Sequence, residues 1–297
     1  MAETTGISWA HHSWNPWMGC DKVAPGCAHC YIHRTMTKQG REPWGAIYRT
    51  KTWGDPLKWQ EKAEEARQVE RVFSCSMSDF FHAKADPWRD EAWDIIRRTD
   101  NLVYFLLTKR PARIQQHLPK DWGEGYPNVW LGVTAACKRD LPNMDVLRKV
   151  PIHPKAVRGL SCEPLLEDIS QELNLDGFGW VAVGGESGSG DEYLWNPECD
   201  WKAELQQTAG RRMMKLEWAE KIRDKTKALG LPFHFKQVTS PCSGVGLNAL
   251  GREWHEYPAP PLPFPWKPQS AIEAKHLYTV QQLMNLDEAG RPAAEVG

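Results

Sequence analysis

Long apolar runs are missing: nowhere in the 297 residues do about 18 apolar side chains follow one another, as a bilayer span requires. The opening MAETTGISWAHHS also lacks the basic-then-apolar pattern of a secretory signal. A soluble, cytoplasmic protein with no membrane partner is expected. An excess of charge of one sign is missing too. The formal net charge is −1, which excludes the broad basic field of a duplex-coating protein, so any nucleic-acid contact has to be local. Nucleotide loops are absent as well. GGESGSG (184–190) has no Gly-Lys-Ser/Thr ending, and no spaced-glycine dinucleotide fingerprint follows the first strand.

Cysteine and tryptophan are plentiful. In a reducing compartment the eight cysteines (20, 27, 30, 75, 137, 162, 199 and 242) are better metal ligands, reactive groups or core residues than disulfide partners. Three of them crowd into WNPWMGCDKVAPGCAHCYIHR (14–34). The 16 tryptophans fill a core for the most part, although an indole also walls a pocket or stacks on a base.

Short apolar runs rich in β-branched and aromatic residues recur at 71–76, 102–108, 129–134, 156–162, 180–185 and 232–237, as buried parallel strands do. Helical patterns lie between many of them, at 59–70, 87–99, 138–150 and 211–230, the last closed by Gly230 and Pro232. This alternation leaves a doubly wound sheet or a (β/α) barrel. Every run ends in polar or glycine-rich residues (SMSDFFH, TKRP, TAAC, CEPLLED, GGESGSG, KQVTS). Barrels build sites from all their strand ends, whereas a doubly wound sheet concentrates its ligand in one crevice. The expected fold is therefore α/β, a partial (β/α) barrel over 1–240 with an irregular cysteine loop at 14–34. Residues 241–297 read as a proline-rich extension packed on the barrel: six prolines between 256 and 270 preclude regular pairing, a short helix follows near 270–286, and the tail is frayed.

Cys20, Cys27 and Cys30 form a C-x6-C-x2-C set beside Gly19, Pro25 and Gly26, which let a loop fold back and converge its thiolates on a metal. Two metals compete. Structural zinc wants four ligands, and His29 or His33 supplies the fourth. A 4Fe–4S cluster held by three thiolates keeps one iron open. The first makes a zinc-stabilised nucleic-acid or protein-binding module without catalysis. The second makes an enzyme, because a three-cysteine loop before a series of βα units is the arrangement of radical S-adenosylmethionine enzymes. The usual spacing there is C-x3-C-x2-C, and here the first gap is six residues.

The motifs WNPWMGCDKVAPGCAHCY, SMSDFFH, LLTKRP, NVWLGVT, SCEPLLEDI, WVAVGGESG and PFHFKQ run in order from about residue 7 to 240. Together they resemble a phage and bacterial family known only as phage proteins and regarded as radical-SAM-like. The resemblance implies a partial barrel that binds a 4Fe–4S cluster through Cys20, Cys27 and Cys30, cleaves S-adenosylmethionine to a 5′-deoxyadenosyl radical, and takes electrons from an external flavodoxin- or ferredoxin-type reductant. Ser76, Ser78 and Asp79 stand where the superfamily holds the methionyl amine, with a helix N-cap as their ordinary role. Thr108, Thr134, Gly185 and Glu186 complete the expected cofactor contacts. Lys109, Glu163 and Lys236 are the expected catalytic groups, with Arg110 and Gln237 at comparable strand ends; for any one such charge a solvated ion pair is the ordinary reading. Cys75 and Cys162 serve as relay thiols, as ligands to a second cluster or, more ordinarily, as core. Cys137, Cys199 and Cys242 receive no role.

Phage context points to a nucleobase in DNA, with radical rearrangement of an amino-acid adduct of thymine (thymidine hypermodification, an isomerase reaction) as the concrete reading. A small nucleoside, a peptide or damaged DNA are the alternatives. Lys109, Arg110, Arg113, Arg211, Arg212 and Lys215 are the cations expected to grip a few phosphates while tryptophans stack an extruded base. If a phage encodes the chain, its compartment is the host cytoplasm.

Overall fold

All six predicted runs form strands. The computed structural model describes residues 7, 9–42, 44–187, 211–240 and 243–259. Its strands are β1 (His12–Trp14), β2 (Trp17–Met18), β3 (Tyr48–Arg49), β4 (Glu70–Ser74), β5 (Leu102–Thr108), β6 (Val129–Thr134), β7 (Arg158–Cys162), β8 (Trp180–Gly184) and β9 (Phe233–Gln237). Helices α1 (Ile32–Lys38), α2 (Asp55–Glu65), α3 (Asp86–Arg97), α4 (Pro142–Arg148) and α5 (Leu216–Ala228) lie between them. No described helix is long and apolar enough to cross a membrane.

Seven strands pair in parallel in the order β1-β4-β5-β6-β7-β8-β9, and β2 and β3 form a separate antiparallel ribbon. The order follows the sequence without reversing, so no topological switch point exists and a doubly wound sheet is excluded. β1 and β9 do not pair with each other, which leaves the sheet as a half-barrel.

Alternation along the strands sorts their side chains onto two faces. Tyr104, Leu106, Leu131, Val133, Leu160, Val181, Val183, Phe233 and Phe235 belong to the main core with the helices. Phe73, Val103, Phe105, Trp130, Trp180 and Ala182 point the other way and form a second, aromatic cluster with Trp9 on the concave side. Both faces are covered, which is why β5, β6 and β8 read as continuous apolar runs. Gly132 and Gly159 make the concave face possible. A Cβ at either would stand 2.8 or 2.6 Å from the Phe105 ring, so only glycine lets that ring lie across β6 and β7.

The open side is filled from both ends of the chain. Trp9 packs against Phe73, Phe105 and Trp180 at 4.6, 5.3 and 5.5 Å between ring centres. The Trp254–Glu256 stretch runs along β9, where Phe235 N–H donates to Trp254 O (2.8 Å) and Glu256 N–H to Phe233 O (3.2 Å), covering an edge that would otherwise template aggregation. Tyr257 then meets the Arg71 guanidinium at 4.6 Å. The helix expected at 270–286, the frayed tail and the prolines from 260 onward lie outside the described residues.

Candidate functional site

One cavity of about 160 Å³ occupies the concave side at the carboxyl ends of the strands. Its rim is the cysteine loop, its wall the strand ends, and its floor Trp9, Phe73, Phe105 and Trp180. Cys20, Cys27 and Cys30 all line it as free thiols. Among the described residues no three His, Cys, Asp or Glu side chains are gathered tightly enough to hold a metal ion. The expected convergence thus reaches a shared cavity wall and no further. Burial pushes the Cys20 thiol up to about 12; neighbouring Asp79 adds to this and the Arg110 guanidinium opposes it. Burial raises Cys30 as well. Thiols in such surroundings stay protonated until a cationic group compensates them.

The loop is braced at both ends. Gly19 turns it with φ +101°, where a Cβ would stand 2.1 Å from Ala46 O. Near Cys20, the Asp21 carboxylate meets His82 Nε2 at 2.9 Å and accepts from Gly45 N–H at 2.7 Å. Near Cys27 and Cys30, the brace is Glu186. Its Oε2 meets His29 Nδ1 and accepts from Arg212 N–H, both at 2.9 Å, and its Oε1 accepts from Arg212 Nε at 3.1 Å and from Nη2. Arg212 Nη1 also donates to Pro25 O at 2.9 Å. Burial pushes the Glu186 carboxyl up, but the His29 and Arg212 hydrogen bonds and the arginine charge hold it below the usual glutamate range.

These partners decide what each expected residue has left to offer. All four acceptor directions of Glu186 are filled inside the protein, so its geometry is that of a clamp rather than of a cofactor ligand. Asp79 is similarly engaged: Thr108 Oγ1 (2.7 and 2.9 Å), Phe81 N–H (2.9 Å) and Lys109 N–H (3.0 Å) all bind its carboxylate. That consumes the Thr108 hydroxyl as well, and matches the ordinary turn-capping role. Ser76 Oγ is held by Asn15 Nδ2 (2.9 Å) and Ser13 Oγ (3.1 Å), and Ser78 Oγ donates to Gly19 O (2.5 Å). A Cβ on Gly185 would meet Thr239 N at 2.2 Å, so this glycine lets two backbones approach.

Other expected residues face the cavity with capacity to spare. Thr134 is buried and its Oγ1 has no hydrogen-bond partner among the described residues. Lys109 lines the wall, as do Glu163 and Lys236, which form an ion pair at 2.8 and 2.6 Å supported by Gln237 Nε2 at 3.1 Å. Ser161, which the sequence reading passed over, joins them because it occupies an inward position of β7. Cys75 lines the cavity in a left-handed conformation (φ +62°), and burial raises its thiol well above the ordinary range. Cys162 is a fully buried core residue.

The phosphate-gripping set needs correction. Arg113 donates to both Asp86 oxygens (2.8 Å) and to Phe81 O (2.8 Å), Arg110 Nη2 to Asp21 O (3.1 Å), and Arg211 and Arg212 are buried. Internal acceptors hold Arg110, Arg113 and Arg212, and the Lys215 ammonium stands 5.7 Å from the Trp218 ring, whereas Lys109 lines the cavity.

A family model described as "Protein of unknown function (DUF5131)" matches residues 4–211. The chain belongs to the DUF5131 family. No curated protein matches it. Among solved structures, this DUF5131 chain is similar to a spore photoproduct lyase double mutant with bound AdoMet and dinucleoside spore photoproduct, at 12% identity and TM-score 0.45, with 76% of each chain covered. It is also similar to spore photoproduct lyase complexed with dinucleoside spore photoproduct (12%, TM-score 0.47) and to a point mutant of that lyase (13%, TM-score 0.46), each covering 78% of this chain and 77% of the other.

Three free thiols from one loop are the donor chemistry that a thiolate-bound iron–sulfur cluster would need, and they are not drawn together to metal-binding distance in this structure. The three thiols share the rim, and the strand ends beside them add Thr134, whose buried hydroxyl has no partner among the described residues, and the Glu163–Lys236 pair.

Proposed function

We propose that this DUF5131 protein is a radical S-adenosylmethionine enzyme whose Cys20, Cys27 and Cys30 hold a 4Fe–4S cluster at the rim of the cavity. The observation that carries the reading is the meeting of three free thiols from one loop with the carboxyl ends of β4 to β9 around a single cavity. When bound, the cluster with its open iron supplies the electron that splits S-adenosylmethionine to a 5′-deoxyadenosyl radical.

The residues of the chain do the rest. Thr134 and Ser161 donate to the polar groups of the cofactor, and Lys109 meets a carboxylate. The Glu163–Lys236 pair orients polar groups of the substrate beside it, and the closed floor keeps water from the reacting atoms. The floor of Trp9, Phe73, Phe105 and Trp180 suits a flat, apolar moiety, which favours a nucleobase: an amino-acid adduct of thymine in phage DNA, rearranged by hydrogen abstraction. The partners are a flavodoxin- or ferredoxin-type reductant and DNA or a modified nucleotide, in the cytoplasm.

Anaerobic reconstitution of the full chain tests the reading. About four irons per chain, with an electron resonance spectrum that shifts on adding S-adenosylmethionine, is expected, and substitution of the three cysteines by Ala abolishes both. A stoichiometric zinc ion in iron-supplemented anaerobic protein would replace the enzyme with the zinc-stabilised module. The substrate is tested separately by mass spectrometry of nucleosides from phage DNA incubated with reduced enzyme and cofactor.

A further inference from the structure

We propose that the basic face beside the cavity mouth, formed by Lys22, Lys38, Arg41, Lys51 and Lys84, docks a single nucleic-acid strand whose base enters the cavity; the second half of that statement rests on the catalytic reading of the cavity. The charge is concentrated. Residues 20–51 carry six Lys and Arg against two Asp and Glu, a net charge of +4, in a chain whose total is −1. One of the two acids, Asp21, is already engaged by His82 and Gly45.

The fold gathers this charge next to the cysteine loop. Cys20 and Trp44 form a backbone bridge, the Lys22 ammonium stands 5.0 Å from the Trp44 ring, and Lys84 Nζ donates to Gly45 O. Arg41 N–H bonds Met36 O at the end of α1, and its guanidinium stands 5.3 Å from the Tyr48 ring. Lys51 follows β3 by two residues. None of the five cations is matched by a carboxylate among the described residues. Several surface cations elsewhere are matched, Arg97 with Asp121 at 2.8 Å, Lys138 with Glu172 at 2.5 Å and Lys221 with Asp168 at 2.7 Å, and those that are not, such as Lys120, Arg139 and Lys149, are scattered rather than gathered beside the cavity mouth.

Cations interleaved with aromatic rings are what a strand recognises: phosphates take the charge and bases take the rings. The geometry favours a strand over an acidic protein because Tyr31 (43% exposed) and the aromatic floor carry the ring surface from the mouth into the cavity. It favours one strand over two because a stacked base cannot reach that floor and the neutral molecule lacks a duplex-wide field.

The probe is a fluorescein-labelled single-stranded DNA of about 12 nucleotides, titrated with the full chain between about 50 and 200 mM salt. Three or four neutralised phosphates predict a slope of log K against log salt of about −2 to −3, or about a 30-fold loss across that range. A Lys38→Gln, Arg41→Gln, Lys51→Gln variant flattens the slope by about 2, at about 0.7 per contact. Lys149→Gln with Lys155→Gln, before β7 at the amino ends of the strands, leaves it unchanged. Absent binding, an unaltered slope in the triple variant, or equal affinity for the matching duplex overturns the proposal. So does a triple variant that binds DNA normally but accepts electrons poorly from an acidic donor protein, which would make the face a reductant dock. Cleavage of S-adenosylmethionine driven by a chemical reductant needs no strand, so its failure condemns the catalytic reading and leaves the surface to be judged by the salt slope.

Discussion

Replacing Glu186 by Ala tests whether the cysteine loop is held by the buried clamp. Glu186 is 4% exposed and Arg212 is 7% exposed, so the substitution leaves a guanidinium, and the His29 ring beside it, buried without the carboxylate. Breaking a buried ion pair from one side costs about 3 to 5 kcal/mol, because the remaining charge keeps its desolvation penalty and loses its compensation. For a domain of this size each kcal/mol moves the melting temperature by about 2 to 4 °C, so a loss of roughly 6 to 20 °C is expected.

Two further readouts separate the clamp from a general packing defect. Adding Arg212→Met removes the orphaned charge and should recover at least about 1 kcal/mol relative to Glu186→Ala alone. Cys27, 8% exposed in the intact protein, should be alkylated faster in the metal-free variant, because Pro25 and His29 lose their ties to β8 through Arg212 and Glu186. A melting temperature within about 2 °C of the parent, together with an unchanged Cys27 alkylation rate, would refute the reasoning.

Burial, aided by His255 and Lys236, pushes the His234 imidazole down to about 3, so between the unfolded value near 6.5 and pH 3 the unfolded chain takes up a proton that the folded protein refuses. Stability is complete above about pH 6.5 and falls by up to about 1.4 kcal/mol per pH unit on acidification; His234→Phe should flatten urea-unfolding profiles between pH 7 and 4, and parallel profiles would contradict this. Gly159→Ala should cost about 1 to 3 kcal/mol, because its Cβ would stand 2.6 Å from the Phe105 ring, and Phe105→Leu in the same chain should restore part of the loss. Thr134→Val should leave the metal-free protein as stable or up to about 1 kcal/mol more stable, since an orphaned hydroxyl is removed, while weakening S-adenosylmethionine binding about fivefold in equilibrium dialysis. Unchanged affinity would place that hydroxyl away from the ligand.

The strands were legible where burial on both faces made the residue pattern local. β5 and β6 begin and end where the apolar runs do. β1 was not legible, since three residues acquire their strand character from pairing with Val72 to Ser74, some sixty positions on. The helix expected over 138–150 breaks into a 3-10 turn at Lys138–Asp140 and α4, because Pro142 has no N–H to continue the first turn and starts the second well. The helix expected from 211 begins at Leu216 for a tertiary reason. Arg212 and Met214 give their N–H groups to Glu186 and Thr239, which ties this stretch to the segments after β8 and β9, and Lys215 stays extended (φ −80°, ψ 131°) as the N-cap of α5.

The same logic divides the candidate site. The three cysteines and the polar strand ends could be found from residue type and order, and the cavity gathers them. Which polar groups stay open could not be found that way, because openness depends on distant partners: His29 reaches Glu186 across 157 positions, and Thr108 and Lys109 reach Asp79 across about thirty. With both of those carboxylates filled, the acceptor and donor capacity facing the cavity shifts to Lys109, Thr134, Ser161 and the Glu163–Lys236 pair, toward β5, β6, β7 and β9. The open polar groups thus lie at the ends of β5, β6, β7 and β9, while Ser78 after β4 and Glu186 after β8 hold the cysteine loop through Gly19 O and His29.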